Sequence, residues 1–135
     1  MIAKTMTYED FDGNTITETF YFNLSQAEIT EMEYEVKGGF QSYIKTIVDG
    51  KDIPAIMRAY KQIICTAYGI KSPDGKRFVK SKEVLDDFLA SQAYSDLYME
   101  LIADPDKAAA FVKGVMPKAS SVPANNGVAK GPWQK

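Results

Sequence analysis

Five arrangements of side chains in this sequence have types and spacings that could do chemistry. Asp10-Phe11-Asp12-Gly13-Asn14 offers oxygen ligands at alternate positions, as a calcium loop does. The positions such a loop fills with Gly and a terminal Glu hold Thr15 and Tyr21, so the segment reads as a turn. Glu31 and Glu35 stand one helical turn apart, where two carboxylates could share a hard cation; with no His in the chain they read as an acidic helix face. Cys65 follows Lys61 and Arg58, and nearby cations lower a thiol pKa, but no base or resolving thiol accompanies it. Gly69 through Gly75-Lys76 is one residue too long for a phosphate-binding loop, and Arg77 stands where Ser or Thr would hold magnesium. The fifth is a basic cluster, Lys71, Lys76, Arg77, Lys80 and Lys82, around Phe78.

Composition narrows the chemistry further. The 135 residues include no His and one Cys, which excludes disulfides, Cys/His zinc sites, the Ser-His-Asp triad and the Cys-His pair within one chain. No catalytic, cofactor-binding or metal site is expected, and the chain reads as a non-enzyme. No apolar run approaches the ~20 residues of a membrane span, and the N-terminus lacks a signal-peptide layout, so a soluble, cytosolic protein is expected. The formal net charge of −2 conceals alternating blocks: −6 over 1–50, +6 over 51–82, −5 over 83–117 and +3 over 118–135. A sequence pI near 5.2 argues against a dedicated nucleic-acid binder.

The elements that must position these groups follow from periodicity and punctuation. Residues 2–8 and 15–22 alternate and are rich in β-branched and aromatic types around a turn, which predicts an N-terminal β-hairpin. Ser25-Gln26-Ala27-Glu28 is a capping box opening a helix to about Lys37, ended by Gly38-Gly39. A second helix covers about 40–49, with Phe40, Tyr43, Ile44, Ile47 and Val48 apolar. The third, capped by Asp52 and started by Pro54, carries a continuous stripe from Ile53 to Tyr68 that Gly69 should stop. Ser72-Pro73-Asp74-Gly75 fits a type I turn in a small second hairpin near 70–80. Ser81, Ser91 and Asp104 cap three further helices, the last ending at Pro117. The expected fold is α+β, mostly α, with an N-terminal hairpin, about six short helices and the small hairpin between the third and fourth. One domain is expected over 1–117, with 118–135 a disordered tail or linker.

Several stretches resemble the tail assembly chaperones of long-tailed, siphovirus-type bacteriophages. They are Phe20-Tyr21-Phe22-Asn23-Leu24-Ser25, the run from Tyr68 to Lys80, Phe88-Leu89, Ala93 to Leu101, Ala108 to Val112, and Met116-Pro117. The resemblance spans roughly residues 5–117. It implies a non-catalytic protein of the host cytoplasm, absent from the finished virion, that binds the tape-measure protein and keeps it soluble during tail assembly. It also implies a homo-oligomer and, in many such phages, a frameshift-extended longer form for which 118–135 would be the linker.

The family transfers no defined ligand residues, so the partner-binding candidates come from the residues themselves: Lys71, Lys76, Arg77 and Lys80 of the basic hairpin, with Tyr94 and Tyr98. The charge blocks suit contacts between copies, basic 71–82 on one facing acidic 28–35 or 83–106 on the next. Two other readings fit the same residues: a nucleic-acid-binding phage regulator using the basic hairpin 71–82, and a minor structural virion protein.

Overall fold

The computed structural model describes residues 1–35 and 38–117. The expected tail or linker at 118–135 and the first helix's expected end at Val36 and Lys37 lie outside the described residues, as do the side chains of Phe40 and Tyr43. The chain begins with β1 (Ile2–Glu9) and β2 (Thr15–Phe22), antiparallel from Ile2↔Phe22 to Glu9↔Thr15. Their turn is built by Asp10, whose Oδ1 accepts from the N–H groups of Asp12 at 3.0 Å and Asn14 at 2.8 Å. One face of the hairpin carries threonines whose hydroxyls pair across the strands, Thr5 with Thr19 at 2.8 Å and Thr7 with Thr17 at 3.0 Å.

Helices α1 (Gln26–Glu35), α2 (Gly39–Asp49) and α3 (Ile53–Ala67) follow. The capping box forms: the Glu28 N–H donates to Ser25 Oγ at 3.1 Å, and the Ser25 N–H donates to Glu28 Oε1 at 2.8 Å. Asp52 accepts from the Ala55 N–H at 3.1 Å at the start of α3. Then come β3 (Tyr68–Lys71), β4 (Phe78–Val79), α4 (Lys82–Leu89), α5 (Gln92–Ala103) and α6 (Pro105–Val115). Ser81 caps α4, and Asp104 caps α6 by accepting from Asp106 and Lys107.

The architecture is mixed α+β as expected, with one addition at the sheet. The second hairpin joins the first, and the strand order is β1-β2-β3-β4. Tyr21 pairs with Gly69 and Phe22 with Tyr68. Helix α3 therefore runs into β3 with no loop between them. Tyr68, expected on the helical stripe, keeps its N–H on Ile64 O but adopts extended ψ 141°, and Gly69 is a strand residue rather than a helix stop. The reason is close approach: a Cβ built on Gly69 would lie 2.6 Å from Phe78 Cε2 and 2.9 Å from Val79 O.

The core is a cluster of rings where the sheet meets the helices. Tyr68 stacks on Phe88 with centroids 4.2 Å apart, and Phe20 and Phe22 approach Phe88 at 5.2 and 5.8 Å. Phe111 of α6 meets Phe22 edge-on at 5.1 Å. Around the rings, Leu24, Ile63, Ile64, Leu97, Leu101 and Val115 are also fully buried. Phe88→Ala should cost about 3–5 kcal/mol in urea unfolding, because its neighbours cannot collapse into the space of a ring. Gly69→Ala should cost about 1–3 kcal/mol by forcing Phe78 and β4 away. An unchanged urea midpoint for either variant would contradict this packing.

Candidate partner-binding surface

The basic hairpin is held by a compact polar turn. The Ser72 hydroxyl donates to Asp74 Oδ1 at 2.6 Å and accepts from the Arg77 N–H at 3.0 Å. Asp74 Oδ1 also accepts from the Lys76 N–H at 3.0 Å, and the Gly75 N–H closes on Ser72 O at 2.9 Å. Gly75 takes φ +77°, a conformation that a side chain would strain. The Ser72 hydroxyl, then the Lys76 N–H, hold the Asp74 carboxyl below the usual carboxylate range.

This turn projects Lys76 and Arg77 into solvent. Lys71 is exposed too, and its ammonium lies 4.9 Å above the Tyr21 ring on the sheet face away from the core. Ile70 and Val79, cross-strand partners, occupy the other face of the same short ribbon and remain partly exposed.

Lys80 behaves differently from its neighbours. Its ammonium reaches both Glu28 carboxylate oxygens at 2.7 Å, Asn23 O at 2.6 Å and Thr66 O at 2.9 Å. It thus joins the base of the hairpin to the first turn of α1 and the last turn of α3. Thr66 O belongs to a helix end whose carbonyls lack intrahelical donors, where a cation is favourable. Nothing in the spacing of basic residues separates Lys80 from Lys76, because all four of its acceptors come from other parts of the chain.

Tyr94 and Tyr98 lie elsewhere. Tyr94 meets Phe88 edge-on at 5.8 Å, and Tyr98 lies 5.9 Å from Tyr94, with its hydroxyl 3.5 Å from Met57 O. Both are half-buried on the core side of the sheet, opposite Lys71 and Tyr21. The six candidate residues therefore form two surfaces rather than one. Burial pushes the Tyr94 hydroxyl pKa up, with the Cys65 and Tyr98 charges adding to the shift. Burial likewise pushes the Cys65 thiol up, outweighing Lys61, so the thiol is less reactive than an ordinary one.

Sequence reasoning passed over Tyr34, which is 87% exposed on α1. The signal was present, since Tyr34 falls off the Ile29, Met32, Val36 stripe. Among the described residues no group of three His, Cys, Asp or Glu side chains is placed to hold a metal ion. An open recess of about 560 Å³ beside the first turn is lined by Glu9, Asp10, Phe11, Gly13, Gln92 and Asp96. The Gln92 amide already donates to Asp96 there at 3.0 Å.

What the fold presents to other molecules is thus a set of exposed charged and apolar side chains on a small α+β scaffold packed around aromatic rings. The family model for phage tail assembly chaperones matches residues 1–126, and the chain belongs to that family. No curated protein and no solved structure matches it. No helix among the described residues is long and apolar enough to cross a membrane.

Two measurements check the hairpin. Lys80→Met should lower stability by about 1–3 kcal/mol, because Glu28 and two backbone carbonyls lose their donor; an unchanged denaturation midpoint would show the ammonium contributes nothing. Asp74 has a depressed pKa, so its stabilisation of the turn is complete above the pKa of an unfolded Asp and is lost as pH falls through the lower folded value. The Lys76 amide proton should titrate with a midpoint below that of an ordinary Asp, and Asp74→Asn should abolish the transition.

Proposed function

We propose that this chain binds the tape-measure protein of its phage and keeps that long helical partner soluble until tail-tube subunits assemble around it. The action is non-catalytic, takes place in the host cytoplasm and leaves no copy in the finished particle. Family membership over residues 1–126 is the observation that carries the proposal. The surface supports it: Ile53 and Met57, one turn apart on α3, are 57% and 38% exposed, and Tyr98 of α5 reaches the Met57 carbonyl. An apolar seam on adjacent helices suits the apolar face of an amphipathic helix.

Self-association belongs to the same reading, as does a longer, frameshift-extended form joined through 118–135. That segment holds two Pro, two Gly and no carboxylate, a composition suited to a linker. The domain proper is 1–117.

Co-expression with the tape-measure protein tests the proposal. Its soluble fraction should rise with this chain present, and Met57→Glu should reduce the gain. No change in solubility, with either this chain or a longer product carrying it, would refute the chaperone role. Finding the chain in purified particles would favour a structural virion protein instead, and tight binding to DNA at moderate salt would favour a regulator.

A further inference from the structure

The β3–β4 hairpin and helix α1 carry opposite charge, and each exposes an apolar group at its centre. On the hairpin, Ile70 and Val79 face each other across the strands and are 48% and 43% exposed, with the exposed Lys76 and Arg77 at the tip beyond them and the exposed Lys71 on the opposite face of the ribbon. On α1, Tyr34 is set between the exposed carboxylates Glu31, Glu33 and Glu35. The ion pairs among the described residues are Lys4–Glu100, Lys80–Glu28 and Lys82–Asp86, so these six charges have no salt-bridge partner there.

Helix α1 carries its carboxylates at a cost. Its last turn holds Glu33 and Glu35 and no base, at the end where the helix dipole repels anions. Glu31 and Glu35 also repel each other across one turn. Lys37, two residues after Glu35 in the sequence, is one cation against three carboxylates. Cations brought from outside would relieve both repulsions.

We infer that α1 docks on the β3–β4 hairpin of a second copy of this chain. Tyr34 seats on the Ile70–Val79 pair, and Glu31 and Glu35 face Lys76 and Arg77. An aromatic anchor entering an apolar patch inside a charged rim is the arrangement that concentrates binding energy at protein interfaces. Within one copy, Lys80 at the hairpin base is bonded to Glu28 in the first turn of α1. The two surfaces are thus rooted at the same point, and a two-fold axis allows the contact to form twice. This inference rests on the self-association part of the reading above and not on capture of the tape-measure protein.

Sedimentation of the full chain tests it, at low ionic strength, where charges act over ~30 Å, and at ~1 M salt, where they act over ~3 Å. The protein should sediment as a dimer at low salt and dissociate at high salt. K76E/R77E and E31K/E35K should each become monomeric while keeping the circular dichroism of the parent. Mixed in equal amounts, those two variants should recover the dimer, because each then offers the charge the other lacks. Tyr34→Ala should weaken dimerisation at least about tenfold through loss of the anchor.

A monomeric parent at low salt would overturn the inference. So would an undiminished K76E/R77E dimer, or a mixture that stays monomeric. The chaperone reading is judged separately, since a dimer that fails to solubilise the tape-measure protein counts against that reading and leaves this interface standing.

Discussion

Two helices end against two adjacent residues, Asn23 and Leu24. The last carbonyls of a helix have no donor within it, and a buried helix end must find donors elsewhere. Here the Asn23 N–H donates to Ala67 O of α3 and the Leu24 N–H to Val115 O of α6, each at 2.8 Å. Lys80 closes the junction from the other side, bonding Asn23 O and Thr66 O. Phe22, immediately before, is fully buried among the rings of Tyr68, Phe88 and Phe111. The exit of β2 is thereby the point where sheet, helix ends and aromatic core are joined. The course of β3 depends on it, because Ala67 must finish α3 beside Asn23 for Tyr68 to enter the sheet beside Phe22.

That junction also sorts the surface. Strand residues alternate faces, so once Phe22 and Tyr68 point at Phe88, Tyr21 and Lys71 must point away from it. The core side receives α4, α5 and α6 and absorbs Tyr94 and most of Tyr98. The opposite side keeps the paired threonines and the cation over Tyr21. Charge is left to the helix exteriors and the hairpin tip, where a protein that works by contact with other proteins can use it without burial cost.

Much of this was legible residue by residue. The first hairpin, the Ser25–Glu28 box, the Asp52, Ser81 and Asp104 caps and the Ser72–Gly75 turn are local arrangements, and their bonds span a few residues. The family resemblance rested on the same local runs. The candidate surface was less legible. Lys80 matched its basic neighbours in type and spacing, yet its ammonium is occupied by Glu28, Asn23 and Thr66. Helical spacing alone does not say where Tyr94 and Tyr98 sit relative to the hairpin; both pack on the core side of the sheet, beside Phe88. Tyr34 was legible as off-stripe and was missed.

The sequence by itself determined the order and type of most helices and strands, the residues that cap them, and that the chain carries no His and a single Cys. Capping, turn formation and amphipathic period act over four or five residues, so a linear reading reaches them. Tertiary structure alone decided that the two hairpins share one sheet, that α3 passes straight into β3, and which cations turn inward. Those outcomes depend on contacts between residues as distant as Glu28 and Lys80 or Leu24 and Val115. The close approach of Phe78 over Gly69 is shorter in sequence but of the same kind, because it exists only once the strands have paired.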